Sequence, residues 1–237
     1  MRVADSAGFQ KPFRPLPIAI ANKLGALLER AGIGGTDLSV DGLMNAAARQ
    51  VGSSDFGDER FVEALHVLLD SINEEAALSP VGRAIIRGRL TGILANKLRT
   101  QAALRAHPEI LDIDIKAPIV IAGLQRTGTT MLHRLISQDP RIRSLASWEA
   151  LNPAPLKPVS GSQGERQGKV GRDPRVRQAV LAEKGVAYMA PDFFAIHPIE
   201  AEAPEEEVIL LDQSFLSTSA EATMNVPSYA AWLEQQD

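Results

Sequence analysis

Cysteine is absent from the 237 residues, which excludes disulfides, thiolate-bound zinc and thiol catalysis. Histidine is scarce as well. The four histidines are scattered without metal-ligand spacing, so no metal is expected. No run approaches the roughly 18 to 20 apolar residues of a membrane span. The N-terminus, MRVADSAGFQKPFRPLP, lacks the long apolar region of a signal peptide. A cytoplasmic protein without a membrane span is expected. Positive charge is missing from one end: all 25 Lys and Arg lie at or before Lys184, whereas Gly185 to Asp237 holds ten acidic residues. A ligand with several negative charges is not expected to bind to that last part. With a net charge of −4, no nucleic-acid partner is expected.

What is present suffices for a core: 45% of residues are hydrophobic, at a length that means one or two domains. The most informative stretch is PIVIAGLQRTGTTMLHRLISQ, Pro118 to Gln138. Pro118 to Ala122 is a short, uncharged, β-branched run that reads as a strand buried on both faces, and Met131 to Ile136 has helical spacing. Between them, Gly123 and Gly128 let a loop curl with its N–H groups inward, and the following helix adds its unpaired N-terminal donors. That is an anion cradle. The glycine spacing matches the front of a phosphate-binding P-loop, but Thr129-Thr130 stands where the nucleotide-hydrolysing enzymes have Lys-Ser/Thr. Arg126 supplies a cation inside the loop instead, with a fork suited to phosphate or sulfate oxygens.

This loop resembles that of the sulfotransferase family. The resemblance extends to SQDPRIRS and WEALNP downstream and to DFGDERF and PEEEVILLDQSF on either side, covering roughly Ser53 to Asp237. It implies an α/β fold, a P-loop-type parallel sheet flanked by helices with Pro118 to Ala122 as a central strand. A mostly helical segment, 1–110, would precede an incomplete sulfotransferase α/β domain, 111–237. It also implies that Gln125, Arg126, Thr127, Gly128, Thr129 and Thr130 bind the 5′-phosphosulfate end of PAPS (3′-phosphoadenosine 5′-phosphosulfate), with Arg126 steadying the transferring group. The acceptor would be a hydroxyl of a small molecule or peptide. Glu149 matches the glutamate that takes the hydroxyl proton in the branch resembling protein-tyrosine sulfotransferases. The alternative is a Glu149 that caps a helix or pairs with Arg143, in which case His197 is the next candidate base, followed by His133 on the cradle helix. The serine and arginine with which the family holds the 3′-phosphate have no match here. A truncated, non-catalytic phosphate- or nucleotide-binding module therefore stays open beside the enzyme. A P-loop phosphotransferase is a third reading, short of its lysine and its acidic magnesium ligand.

Elsewhere, Ile20, Leu24, Leu27 and Leu28 predict a helix from Ile18 to Ala31, and a second is predicted for Leu38 to Val51. Asp55-Phe56-Gly57 reads as a turn, since the other parts of a kinase site are missing. Asp58 to Leu78 is an amphipathic helix with Phe61, Leu65, Leu68, Leu69 and Ile72 on one face. Ser79 as N-cap and Pro80 at the first helical position start a long helix that His107-Pro108 ends. Its Arg83, Arg87, Arg89, Lys97, Arg99 and Arg105 make either a basic wall beside the anion site or a solvated face. Ile142 to Ala146 is a candidate second strand and Pro153 to Lys169 a loop or lid. Helices are predicted from Asp173-Pro174 to about Met189 and from Pro227 to Gln235. Glu205-Glu206-Glu207 reads as the acidic first turn of a helix.

Overall fold

The computed structural model describes residues 13–124, 127–156, 173–195 and 197–236. Its helices start and stop where local chemistry directs. Helix α1 spans Leu16–Arg30, α2 Val40–Val51, α3 Phe61–Glu74 and α4 Pro80–Ala106. After these come α5 at Thr129–Ile136, α6 at Ser147–Leu151, α7 at Pro174–Met189, α8 at Val208–Leu211 and α9 at Pro227–Leu233. Ser39 caps α2 by accepting the Gly42 N–H at 3.1 Å, and Ser79 caps α4 by accepting that of Gly82 at 3.2 Å. Gly52, with φ at +77°, closes α2 in the left-handed conformation that glycine adopts most cheaply. Pro108 cannot continue α4, and a short 3₁₀ turn follows at Pro108–Asp112.

The core lies where α2, α3 and α4 meet the end of the chain. Leu43, Leu65, Ile72, Leu94 and Leu98 are at most 1% exposed, and Phe215, Val226 and Tyr229 join them from the far end of the chain. Burying a Leu-sized side chain stabilises by about 1.5–3 kcal/mol, so this cluster dominates the stability of the described fold. Its polar atoms are satisfied. The Tyr229 hydroxyl faces the Phe215 and Ser217 carbonyls at 2.8 and 3.0 Å. Arg89 on α4 donates to the Asp212 carboxylate at 2.7 Å and to the Ser219 hydroxyl at 2.9 Å. At the end of α3, Glu75 accepts from the Ser228 N–H and hydroxyl at the first turn of α9, in place of a local cap.

The parallel sheet expected of an α/β protein is not formed. Among the described residues there is no strand, only one isolated antiparallel bridge between Ala146 and Pro204, and the architecture is helical. Pro118 to Ala122 is irregular chain, with Ile119 and Val120 at 62% and 79% exposure. A buried strand requires neighbours along both edges for its N–H and C=O groups, and layers over both faces for its side chains. This segment has neither, so a β-branched composition has no sheet to enter. Ile142 to Ala146 likewise contributes only the Ala146 bridge.

Other boundaries are close to the reading from sequence. The helix expected over Asp58 to Leu78 is shorter, because Asp58 accepts from the Arg60 N–H in a turn that precedes it. Asp55-Phe56-Gly57 is a turn, with the Gly57 N–H on the Asp55 carboxylate at 3.0 Å. The segment Val208 to Leu211 is one helical turn. Residues 157–172, most of the expected lid, lie outside the described residues. Among the described residues no helix is long and apolar enough to cross a membrane.

Candidate functional site

The cradle is visible on both sides of its centre, while Gln125 and Arg126 lie outside the described residues. Gly128, at φ +94°, turns the chain in the left-handed region and is the residue from which α5 starts, without a side-chain cap. The first intrahelical bond runs from the Leu132 N–H to the Gly128 carbonyl at 3.0 Å. The N–H groups of Thr129, Thr130 and Met131 thus have no intrahelical acceptor and remain available to an anion at the positive end of the helix. The Thr127 hydroxyl donates to the Leu124 carbonyl at 2.6 Å, closing the loop on itself. A Cβ on Gly123 would stand 3.0 Å from both Thr127 Oγ1 and Thr129 Cγ2. The loop is tight there, and glycine is the residue that fits. Thr127 and Thr129 thus pack against Gly123.

Glu149 is positioned otherwise. It lies in the first turn of α6, where one carboxylate oxygen accepts the Ala146 N–H at 3.1 Å and the other accepts Arg143 at 2.6 Å. Both partners that the sequence allowed it, a helix end and Arg143, are engaged, and neither belongs to the cradle. Trp148 beside it is covered by the Arg175 guanidinium, 4.5 Å above the ring. Arg175 is itself held by Asp173 and by the Asn152 and Pro153 carbonyls.

A second polar cluster links α5 to residues 197–205. Arg134 on α5 donates to the Glu200 carboxylate at 2.8 Å and to the Pro198 carbonyl at 3.1 Å, while its buried Nε has no partner. His197 Nε2 lies 3.3 Å from Glu205 Oε1, and the imidazole also packs on Phe193. The Glu205 hydrogen bond holds His197 above the ordinary histidine value against the opposing effect of burial. Burial pushes Glu205 up, but His197 and the Glu206 N–H together hold it below its ordinary value. Glu205 is also pinned through its own N–H to the Leu145 carbonyl at 2.9 Å. It is therefore an internal ion-pair partner and not part of an acidic solvated turn. Residues 197–205 form neither a helix nor a strand, so no periodic pattern brings the two together and the sequence offered no signal for this pair.

The cations of α4 do not make a wall. Arg83 donates to the Asn73 side chain and the Thr36 carbonyl, Arg87 to the Asp37 carbonyl, Arg89 to Asp212 and Ser219, and Arg105 pairs with Asp55. Lys97 sits 4.4 Å over the Phe61 ring. Arg83 and Arg87 tether α4 to residues 36–37, Arg89 ties it to 212–219 and Arg105 to Asp55, whereas Arg99 reaches only Asn96 of α4 itself; these are structural roles. Among the described residues no group of three or more His, Asp or Glu is placed to hold a metal ion.

With this geometry in place, comparison with known proteins is informative. A model of the sulfotransferase family matches residues 118–237. Among solved structures the chain is similar to sulfotransferase STF1 from Mycobacterium tuberculosis H37Rv, with 37% identity and a TM-score of 0.64, over 86% of this chain and 54% of that one. It is also similar to sulfotransferase STF9 from Mycobacterium avium, with 26% identity and a TM-score of 0.69, over 86% of this chain and 50% of that one. The chain thus spans about half the length of these matched structures. No match was found among curated proteins.

Proposed function

Because the chain belongs to the sulfotransferase family, we propose that it takes part in sulfuryl transfer from PAPS to a hydroxyl of a small molecule or peptide. The observation that supports this most is the turn itself: three N–H groups without an intrahelical acceptor at the start of α5, a left-handed Gly128, and a Gly123 whose Cβ would crowd the turn. In this reading the donor brings an activated sulfuryl group, its S–O bond to phosphate being the one that breaks. The N–H groups of Thr129, Thr130 and Met131, with the two threonine hydroxyls, grip the 5′-phosphate. Gln125 and Arg126 complete the loop, and the Arg126 guanidinium meets the negative charge that builds on the leaving phosphate. Glu149, although it caps α6 and pairs with Arg143, is the base in this reading: it takes the proton of the acceptor hydroxyl as that oxygen bonds to sulfur, and its two partners orient the carboxylate. No metal has a role.

Two measurements test this. Calorimetry with adenosine 3′,5′-bisphosphate should show binding that weakens by about tenfold or more in Arg126→Ala, the loss of one or two charge-assisted hydrogen bonds. Equal binding by the two proteins would remove Arg126 from the site. Transfer of labelled sulfate from PAPS to a panel of phenols and alcohols should fall in Glu149→Gln by about 10²-fold or more while bisphosphate binding is kept. Unchanged transfer would exclude Glu149 as the base.

A further inference from the structure

Helix α1 is amphipathic, and its apolar side faces solvent. At about 100° per residue, Leu16, Leu27, Ile20, Leu24 and Leu28 fall within an arc of about 120°. These five side chains are 48 to 72% exposed, and Phe13 and Ile33, beyond the two ends of the helix, are exposed as well. The opposite arc attaches the helix to the protein. Asn22 Oδ1 accepts the Val81 N–H at 3.0 Å, and Gly25 abuts the first residue of α4, where an added Cβ would stand 2.7 Å from Pro80 Cβ. Rolling the helix to bury its leucines would drive them into this close contact, so the outward orientation is built in. Charge is arranged accordingly. Arg14 precedes the helix, Lys23 and Arg30 fall along one border of the stripe, and Glu29, the one acidic residue of α1, lies on the side away from it.

We propose that this face of α1 docks on an anionic lipid surface, with the leucines in the headgroup and upper acyl region and Lys23 and Arg30 among the lipid phosphates. The dimensions argue against a second copy of the chain as occupant. A 15-residue helix is about 22 Å long, and a stripe about 10 Å wide along it falls short of the ~800 Å² per partner of a stable interface. An antiparallel copy would also bring the two cation borders to the same side. A bilayer needs no such area, and its headgroups supply the opposite charge.

The test is co-sedimentation of the full chain with phosphatidylcholine vesicles, with and without phosphatidylglycerol. Binding to the anionic vesicles is expected, weakened by salt, and lower by about fivefold for each of Lys23→Ala and Arg30→Ala. The pair Leu24→Asp and Leu27→Asp should reduce it by about tenfold or more. All four positions are exposed, so circular dichroism and Tm should not change, and the salt dependence of the unaltered chain tests the proposal even if a variant misfolds. Failure of the unaltered chain to bind anionic vesicles would overturn it. So would undiminished binding by the double Asp variant, which would assign the contact to another apolar surface. A dimer in sedimentation equilibrium that the double variant abolishes, without vesicle binding, would make the occupant a second copy.

Discussion

Leu65, Leu69 and Ile72 of α3 are at most 2% exposed, whereas Ile115, Val120 and Leu124, from a stretch equally rich in aliphatic residues, are 79 to 82% exposed. Apolar composition is common to both regions. The difference is how each satisfies its backbone. A helix closes its own hydrogen bonds and needs one apolar face covered, and α3 obtains that chiefly from α2 and α9. A strand has no internal bonds and needs neighbours on both edges, which 113–124 lacks. Helical capping and packing therefore build a closed core on one side. On the other, the segment that carries the cradle is held by fewer contacts, chiefly through Arg134 to Pro198 and Glu200 beyond α5.

Substitutions on the two sides should differ in their cost. The largest effect is expected from Leu94→Ala, at a site with no exposure, which should cost about 2–5 kcal/mol in urea unfolding. Val120→Ala should stay within about 0.5 kcal/mol. Similar losses for both would mean that 113–124 is packed in solution. Next is Tyr229→Phe. It removes the hydroxyl that donates to one of the Phe215 and Ser217 carbonyls and accepts the Ser217 N–H, and should cost about 1–3 kcal/mol, read by the same unfolding curves. Ser79→Ala removes the cap of α4 and should cost about 1 kcal/mol.

The smallest effect is a pH dependence. His197 is raised, so its contribution to stability is complete below the ordinary value of 6.5 and is lost as pH rises through the raised value. Glu205 is lowered, so its contribution is present above 4.5 and is lost as pH falls through the lowered value. The pair should stabilise most between these limits. Tm should drift down by a few degrees on the alkaline side, and His197→Gln should remove that drift. A drift retained in the variant would assign it to another group.

What could be read from sequence was whatever a single element decides for itself. Ser79 and Asp173 announced their helices, and Pro108 ended one, because caps and proline act within a turn. The turn into α5 is local in the same way, since Gly123, Thr127 and Gly128 are near neighbours in sequence. Pairings across the chain were not. The sheet was inferred from a β-branched run whose partners the described residues do not contain. The outward roll of α1 depends on Gly25 meeting Pro80, 55 positions away. Glu149 allowed two roles in sequence, and only the contact with Arg143 and the Ala146 N–H says which neighbours it has.

The central claim is that the turn from Gly123 into α5 is an anion cradle for a sulfuryl donor. Amide hydrogen exchange, with and without adenosine 3′,5′-bisphosphate, addresses it most directly. Exchange in α3 and α4 should already be slow and unaffected, because their amides sit in a closed core. The amides of Thr127 to Met131 should exchange fast in the free protein and become protected when the bisphosphate is added. Protection confined to another part of the chain, or none at saturating bisphosphate, would contradict the assignment of this loop as the donor site.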